Sequence, residues 1–308
     1  MKKNILIVSM ENDIHALAVK KEIENRGSAN PFLLEADRLV DRCRVTWTEG
    51  SNSSGSITFS DGAVLDLREI ATIWWRRWRV DQILDRTYEV AHSDLINNDW
   101  RGTIRGTLET LHTGTWISNP AATERASNKL HQLNVAKHCG LRVPDTIVSN
   151  DPVEIRAFVK KHPAGVIVKP VIGTKKAFLF TQFVDENRLD NSSMLSSPAI
   201  YQEYISGEIH LRVNCFGDSV YASSITTSEL DWRQNLNVPI QTFALDKQVR
   251  DSVLHVLEHF NLSMGVVDLK VAENGEVVWF EVNPQGQFLF LEGLTREPLL
   301  QAFVDFLV

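Results

Sequence analysis

The sequence predicts a chain of α/β and α+β units: an α/β opening, an α+β middle and a mainly antiparallel final third. Three observations carry this. The apolar run Ile5-Leu-Ile-Val8 is followed by a helical pattern through Ala16, Leu17, Val19 and Ile23 that stops at Gly27. Helix and strand patterns then alternate with short links between Asn119 and Lys169. From Ala199 onward, β-type runs separated by turn residues dominate and culminate in a hairpin around Asn274-Gly275.

Each element follows from its local pattern. In the first unit, 1–118, the runs Arg44–Thr48 and Ser56–Ser60 flank a Gly/Ser/Asn tip and predict a hairpin, and Ile70–Trp75 predicts a further strand. No glycine-rich phosphate loop joins the first strand to its helix. An amphipathic pattern over 94–112 predicts a packing or dimer helix. The second unit, 119–198, reads as a helix over 124–139 ended by Gly140, a strand at 146–148, a helix over 152–162 and a strand at 166–169. The third, 199–308, reads as strands at 201–205, 209–216 and 220–225, the hairpin, and an apolar helix over 298–307.

Composition narrows the partners. With 308 residues, 43% hydrophobic and 23% charged, the chain can bury two or three cores. Its formal charge of −7 disfavours nucleic acid and anionic membrane as partners. No run approaches the ~20 apolar residues needed to span a bilayer. The apolar start meets Glu11 and Asp13 too soon for a signal peptide. Cys43, Cys139 and Cys215 are scattered, which points away from disulfides and zinc and toward a reducing cytoplasm.

The hairpin is the most informative stretch. A two-residue turn at Asn274-Gly275 pairs Glu273 with Glu276, Lys270 with Trp279 and Asp268 with Glu281. Two carboxylates then face each other at ~5 Å between Cβ atoms, which is unfavourable without a cation. Asn283, two residues past Glu281, points the same way, while Leu269, Val271, Val278, Phe280 and Val282 form the core face. An Asp, Glu, Asn oxygen set suits Mg²⁺ shared with phosphates. A solvated acidic face balanced by Lys270 fits the hairpin alone equally well.

Other residues offer chemistry with less specificity. Lys169 ends a strand before Pro170, where an ammonium is held for a phosphate contact, and Gly173-Thr-Lys-Lys176 follows as a short loop. Alternation over 208–215 puts Glu208, His210, Arg212 and Asn214 on one polar face, as a site wall or an ordinary exposed strand would. Asp231-Trp232-Arg233-Gln-Asn235 sets an acid, an aromatic ring and a guanidinium together, although Asp231 would equally serve as a helix cap. Trp74-Trp75-Arg76-Arg77-Trp78 is either a carboxylate-binding surface or a buried aromatic cluster with paired arginines.

Taken in order, Asn119-Pro120, Lys129, Lys169-Pro170, Gln202–Ile205, Arg212, Asp268, Glu281 and Asn283, ending in Phe-Glu-Val-Asn-Pro, resemble the ATP-grasp ligases from about Ser118 to the C-terminus. Trp75–Arg77, Asp231–Arg233 and Asn283-Pro-Gln-Gly-Gln287 extend the resemblance to the graspetide (microviridin-type) peptide maturases and bring in the first unit. The resemblance implies an ATP-grasp fold: a pre-ATP-grasp domain, then central and C-terminal subdomains. It also implies that ATP and Mg²⁺ activate a carboxylate of a ribosomally made precursor peptide, leader plus core, as an acyl phosphate. A Thr, Ser or Lys side chain of that peptide would then close an ω-ester or ω-amide macrocycle.

By the same resemblance, Lys129 and Lys169 bind phosphate, Glu203 and Tyr204 form the adenine hinge, and Asp268, Glu281 and Asn283 hold Mg²⁺. Arg212 steadies the γ-phosphate or acyl phosphate, Arg233 and Asn235 belong to the loop between hinge and hairpin, and Asp231 orients that arginine or the nucleophile. His210 stands where the family usually has an acid, leaving Glu208 as the ribose candidate; Arg76, Arg77, His210 and Trp232 are candidate peptide contacts. A homodimer is implied as well. Two other readings stay open: a ligase adding an amino acid to a peptide or protein terminus, and a nucleotide-binding module without chemistry.

Overall fold

The computed structural model describes residues 2–78, 90–173, 179–235 and 237–308. The opening unit is built on β1 (Lys3–Ser9), α1 (Ile14–Arg26), β2 (Ala29–Glu35) and a short α2 (Leu39–Arg42). An antiparallel flap of β3 (Cys43–Thr48), β4 (Ser54–Phe59) and β5 (Val64–Asp66) follows, then β6 (Ile70–Trp75), α3 (Val90–Leu111) and β7 (Thr115–Ile117). Strands β2, β1, β6 and β7 form a parallel sheet in that order. Ile5 and Ile7 face α1 with Trp74, while Leu6 and Val8 face the opposite core, so a run buried on both faces reads as continuous hydrophobicity.

The central unit comprises α4 (Pro120–Ala126), α5 (Lys129–His138), β8 (Thr146–Ser149), α6 (Pro152–Lys161), β9 (Val166–Lys169), β10 (Gln182–Phe183), α7 (Asn191–Ser196) and β11 (Ala199–Glu203). The single helix expected over 124–139 is two helices. Asn128 interrupts it, because its side chain accepts from Leu130 N and His131 N as an N-cap and restarts the helix at Lys129. Strand β11, expected to open the final unit, instead pairs with β8 and β9 in the central sheet. The sheet pairing therefore moves the crossing between the two units past Glu203.

The final unit has β12 (Ile209–Phe216), β13 (Ser219–Thr226), β14 (Ile240–Thr242), α8 (Lys247–His259), β15 (Met264–Val271), β16 (Val277–Asn283), α9 (Leu289–Thr295) and α10 (Leu299–Leu307). Its sheet runs β14-β13-β12-β15-β16, antiparallel throughout. One face packs on α5 and α8 through Leu211, Val213, Val267, Leu269 and Trp279. Helix α8 is an element that the reading of the sequence passed over. Helix α10 packs against α1 and carries Phe303 into the opening unit's core, joining the two ends of the chain.

The hairpin register is half as expected. Asp268 does oppose Glu281, but Lys270 opposes Val278 and Leu269 opposes Trp279, because the ladder shifts by one residue between Asp268 and Leu269. The turn is longer than two residues: Ala272 N–H bonds Glu276 O, and Gly275, at φ +84°, bonds Ala272 O. One extra residue on β16 at Phe280 then restores the pairing as a bulge. Trp279 consequently enters the main core, while Val278 and Phe280 leave the expected core face and cluster with Ile205 and Ala272.

Candidate active site

A cleft opens between the central sheet and the polar face of the final sheet. Strand pairing lines up Ser223, Arg212, Asp268 and Glu281 across four strands. Arg212 Nη1 donates to both Asp268 oxygens, at 2.9 and 2.8 Å. Lys129, first residue of α5, reaches Glu281 Oε2 at 3.4 Å. Edge strand β16 is held in place by Gln132 of α5, whose side chain bonds both Val282 O (2.9 Å) and Val282 N (2.8 Å). That double bond sets the height of Glu281 opposite Asp268.

The electrostatics of this row fit a divalent cation. Burial pushes the Asp268 carboxyl up, the Arg212 guanidinium opposes the shift, and the Glu281 charge adds to it. For Glu281 burial also acts upward, but Lys129, Lys169 and Arg233 outweigh it and hold the group low. The charged form of Asp268 is thus not fully compensated by its protein partners, beside a second carboxylate, and a hard oxygen-seeking ion matches that donor set. Asn283 continues the face two residues on, opposite Val266, with its Oδ1 accepting from Gln285 N at 3.1 Å.

Lys169 lines the cleft near the same row, and loss of water around its ammonium pushes it down to about 8. Thr174, Lys175 and Lys176 of the following loop lie outside the described residues. At the other end, Glu203, Tyr204 and Ile205 line the cleft. Glu203 N–H bonds Asp145 O and Tyr204 N–H bonds Gly165 O. The Glu203 carboxylate meets Arg142 at 3.3 Å, so the side chain is engaged by the protein itself.

Between Tyr204 and the row formed by Arg212, Asp268 and Glu281, His210 and Lys270 oppose one another across β12 and β15, and both are almost fully buried in the cleft wall. His210 is pushed down to about 4, by burial first and then by the Lys270 charge. Burial lowers Lys270 too, and its ammonium lies 5.3 Å from the centre of the Tyr204 ring. Lys270 was read from sequence as a counter-charge, and nothing in its strand pattern marks it as cleft lining. Glu208 is exposed ahead of β12 and does not line the cleft.

The loop 231–235 closes one side. Asp231 is buried and accepts Arg233 Nε at 2.7 Å and Arg233 N at 3.2 Å, so it caps the short turn and aims the guanidinium at once. Burial alone would raise Asp231, but Arg233 holds it below the usual carboxylate range. Arg233 keeps 55% of its side chain exposed and feels the charges of Glu281 and Asp268. Trp232 lies under Arg212, 5.7 Å from the guanidinium carbon to the ring centre. Asn235 is not among the residues that line the cleft, and its Oδ1 accepts from Asn237 N.

The pair Arg76-Arg77 divides. Arg76 is not a surface contact: its side chain is fully buried, with Nε on Asp13 Oδ2 at 2.8 Å. Register explains this, since Trp74 and Trp75 end β6 on opposite cores and the next residue turns in over the end of β1. Arg77 shares Asp13 at 3.3 Å and stays 35% exposed. Asp13 and His15, which cap and open α1, had no sequence signal beyond the cap itself.

Comparison with known proteins accords with this geometry. Residues 4–124 match the MvdD pre-ATP grasp domain and residues 126–303 the RimK-like ATP-grasp domain. The chain is similar to macrocyclase MdnC from Microcystis aeruginosa MRC bound with precursor peptide MdnA, at 27% identity and TM-score 0.89 over 99% of each chain. Macrocyclase MdnB from the same source is similar at 25% identity and TM-score 0.83, again over 99% of each. A probable alpha-L-glutamate ligase of Saccharophagus degradans is 26% identical over 204 residues, 63% of this chain and 67% of the relative. With its second match covering more than half of its length, the chain belongs to the RimK-like ATP-grasp family, and an MvdD-type pre-ATP-grasp domain precedes that part.

Proposed function

We propose that the protein is an ATP- and Mg²⁺-dependent macrocyclase of a ribosomally made precursor peptide. The observation that carries the reading is the row Arg212, Asp268, Glu281 with Lys129 and Lys169 beside it, in a chain similar from end to end to a macrocyclase bound with its precursor. A peptide Asp or Glu carboxylate attacks the γ-phosphorus of ATP, the β–γ bond breaks and ADP leaves. A peptide hydroxyl or amine then attacks the acyl carbon, loses its proton, and expels phosphate. Asp268, Glu281 and Asn283 would hold Mg²⁺, which when bound offsets phosphate charge.

The chain's own groups do the rest. Lys129 and Lys169 bind phosphate oxygens, and the hinge at Glu203 and Tyr204 seats the base. Arg212 and Arg233, fixed by Asp268 and Asp231, face the two anions that must approach each other, where preorganised donors are most effective. No side-chain nucleophile is needed. Arg77 and Trp232 lie toward the peptide.

Purified protein, Mg·ATP and a co-encoded precursor should give a peptide lighter by one water per ring, with one ADP per ring. A heavier peptide would instead favour amino-acid addition, the reading that the glutamate-ligase likeness supports. Asp268→Ala and Glu281→Ala should abolish peptide-stimulated ADP release; persistence of that release would remove the ion row from the mechanism. A homodimer belongs to the same proposal, resting on α3 with Leu95 58% exposed, and sedimentation would test it. So does a cytoplasmic setting, which rests on three free cysteines. No helix among the described residues is long and apolar enough to cross a membrane.

A further inference from the structure

We propose that His15 of the opening unit is a positioning residue for the chemistry, acting with Arg76 through the loop 284–289 on Arg212 and Trp232. The inference rests on the reading above, in which Arg212 and the loop 231–235 face the reacting groups.

The segment 284–289, which joins β16 to α9 and includes the first residue of that helix, is gripped from both sides. From the opening unit, His15 Nε2 accepts two backbone N–H bonds, from Phe288 at 3.0 Å and Leu289 at 3.1 Å. A nitrogen that accepts twice carries no proton, so this imidazole works as a neutral acceptor. Its ring also meets Phe288 edge-on at 5.1 Å. Asp13 orients the pair: Oδ1 takes His15 N, while Oδ2 takes Ser9 Oγ and Arg76 Nε. Arg76 Nη1 then reaches Gln285 O at 3.5 Å.

From the other side the same loop holds the site. Gln287 O accepts Arg212 Nη2 at 3.1 Å. Phe290, one residue past the His15 grip, stacks on Trp232 at 6.1 Å between ring centres, and Trp232 lies under Arg212. The loop cannot settle inward to compensate, because a Cβ on Gly286 would stand 2.4 Å from Val266 Cβ. A lost acceptor at position 15 therefore transmits to both the guanidinium and the loop that carries Arg233.

Two substitutions separate the acceptor from the packing. His15→Phe keeps a ring against Phe288 but accepts nothing; His15→Gln gives up the ring but can present an oxygen near the place of Nε2. The full chain is read in three ways: amide hydrogen exchange, Mg·ADP affinity, and kcat on a peptide that the wild type condenses. For His15→Phe, faster exchange is expected in both 285–290 and 231–235, with Mg·ADP affinity within twofold and kcat at least tenfold lower. His15→Gln should stay within threefold of wild type in each. Arg76→Lys, which keeps a cation for Asp13 and gives up the reach to Gln285 O, should show the same pattern more weakly if His15→Phe does not fold. Exchange that rises in 285–290 alone would overturn the proposal as a local cap. So would His15→Phe keeping kcat, or losing it together with Mg·ADP affinity. If the wild type condenses no peptide, the functional reading fails while the exchange arm still decides this inference.

Discussion

Two tryptophan-arginine clusters of similar composition end in opposite situations. At Trp74–Trp78 the guanidinium of Arg76 is buried against Asp13, a residue 63 positions away; at Asp231–Arg233 the partner acid is two positions away and the guanidinium stays 55% exposed. A local partner on a loop secures one edge of an arginine and leaves the other toward a ligand. A partner brought in from the distant turn between β1 and α1 encloses the whole group. The carboxyl ends of strands in open α/β sheets are where ligands commonly sit. Here that place at β1 and β6 is filled by the chain's own loop 284–289.

Substitutions should separate the two clusters sharply. Arg76→Ala leaves Asp13, 6% exposed, without its buried cation, and should cost about 3–5 kcal/mol in denaturant unfolding. Arg233→Ala strands an acid too, Asp231 at 5% exposure, but removes a guanidinium that is itself 55% exposed and leaves the backbone N–H bond from position 233 to Asp231 in place. It should therefore cost less stability than Arg76→Ala while lowering kcat by roughly 10²–10³, about 3–4 kcal/mol of barrier, as for loss of a preorganised donor. Comparable unfolding in both variants would break the contrast.

His15 is held near 4 against an ordinary 6.5, chiefly by burial and then by the Arg76 charge, with Asp13 opposing and Arg77 and Arg212 adding. As pH falls the unfolded chain takes the proton first. The stabilisation is therefore complete above about 6.5 and is lost on the way down to about 4, roughly 3 kcal/mol in all. His210 behaves alike, so melting temperatures should fall over that window and His15→Gln should remove about half of the slope; an unchanged slope would mean His15 is not held neutral. The smallest effect is expected for Arg77→Ala: under about 1 kcal/mol, because the group is 35% exposed.

Much of the site was readable because it depends on short-range rules. Turn residues and period-2 alternation oppose Asp268 to Glu281 by way of a two-residue turn that does not form, and the pairing stands because the longer turn and the Phe280 bulge offset each other. Val166–Lys169 before Pro170 suffices to place an ammonium at a strand end. What escaped depends on contacts between distant positions. The bond from His15 to Phe288 spans 273 residues and that from Gln132 to Val282 spans 150, and no local pattern marks either. The restart of the helix at Lys129 escaped for another reason. Ser127-Asn128 sits inside an uninterrupted helical pattern, and only the Asn128 cap reveals the break.

The Phe280 bulge has a consequence for how this hairpin could change over time. A strand side chain switches face with every residue, so the longer turn and the bulge are two parity changes that cancel at Asp268 and Glu281. Between them the facing of β16 is inverted: Val278 stands across from Lys270, Trp279 enters the core, and the bulged Phe280 joins the cleft wall. The pairing of the two carboxylates and the make-up of the neighbouring cleft wall are thus governed by separate stretches of one hairpin. Residues near the turn can vary, and this wall with them, while the two carboxylates keep their pairing.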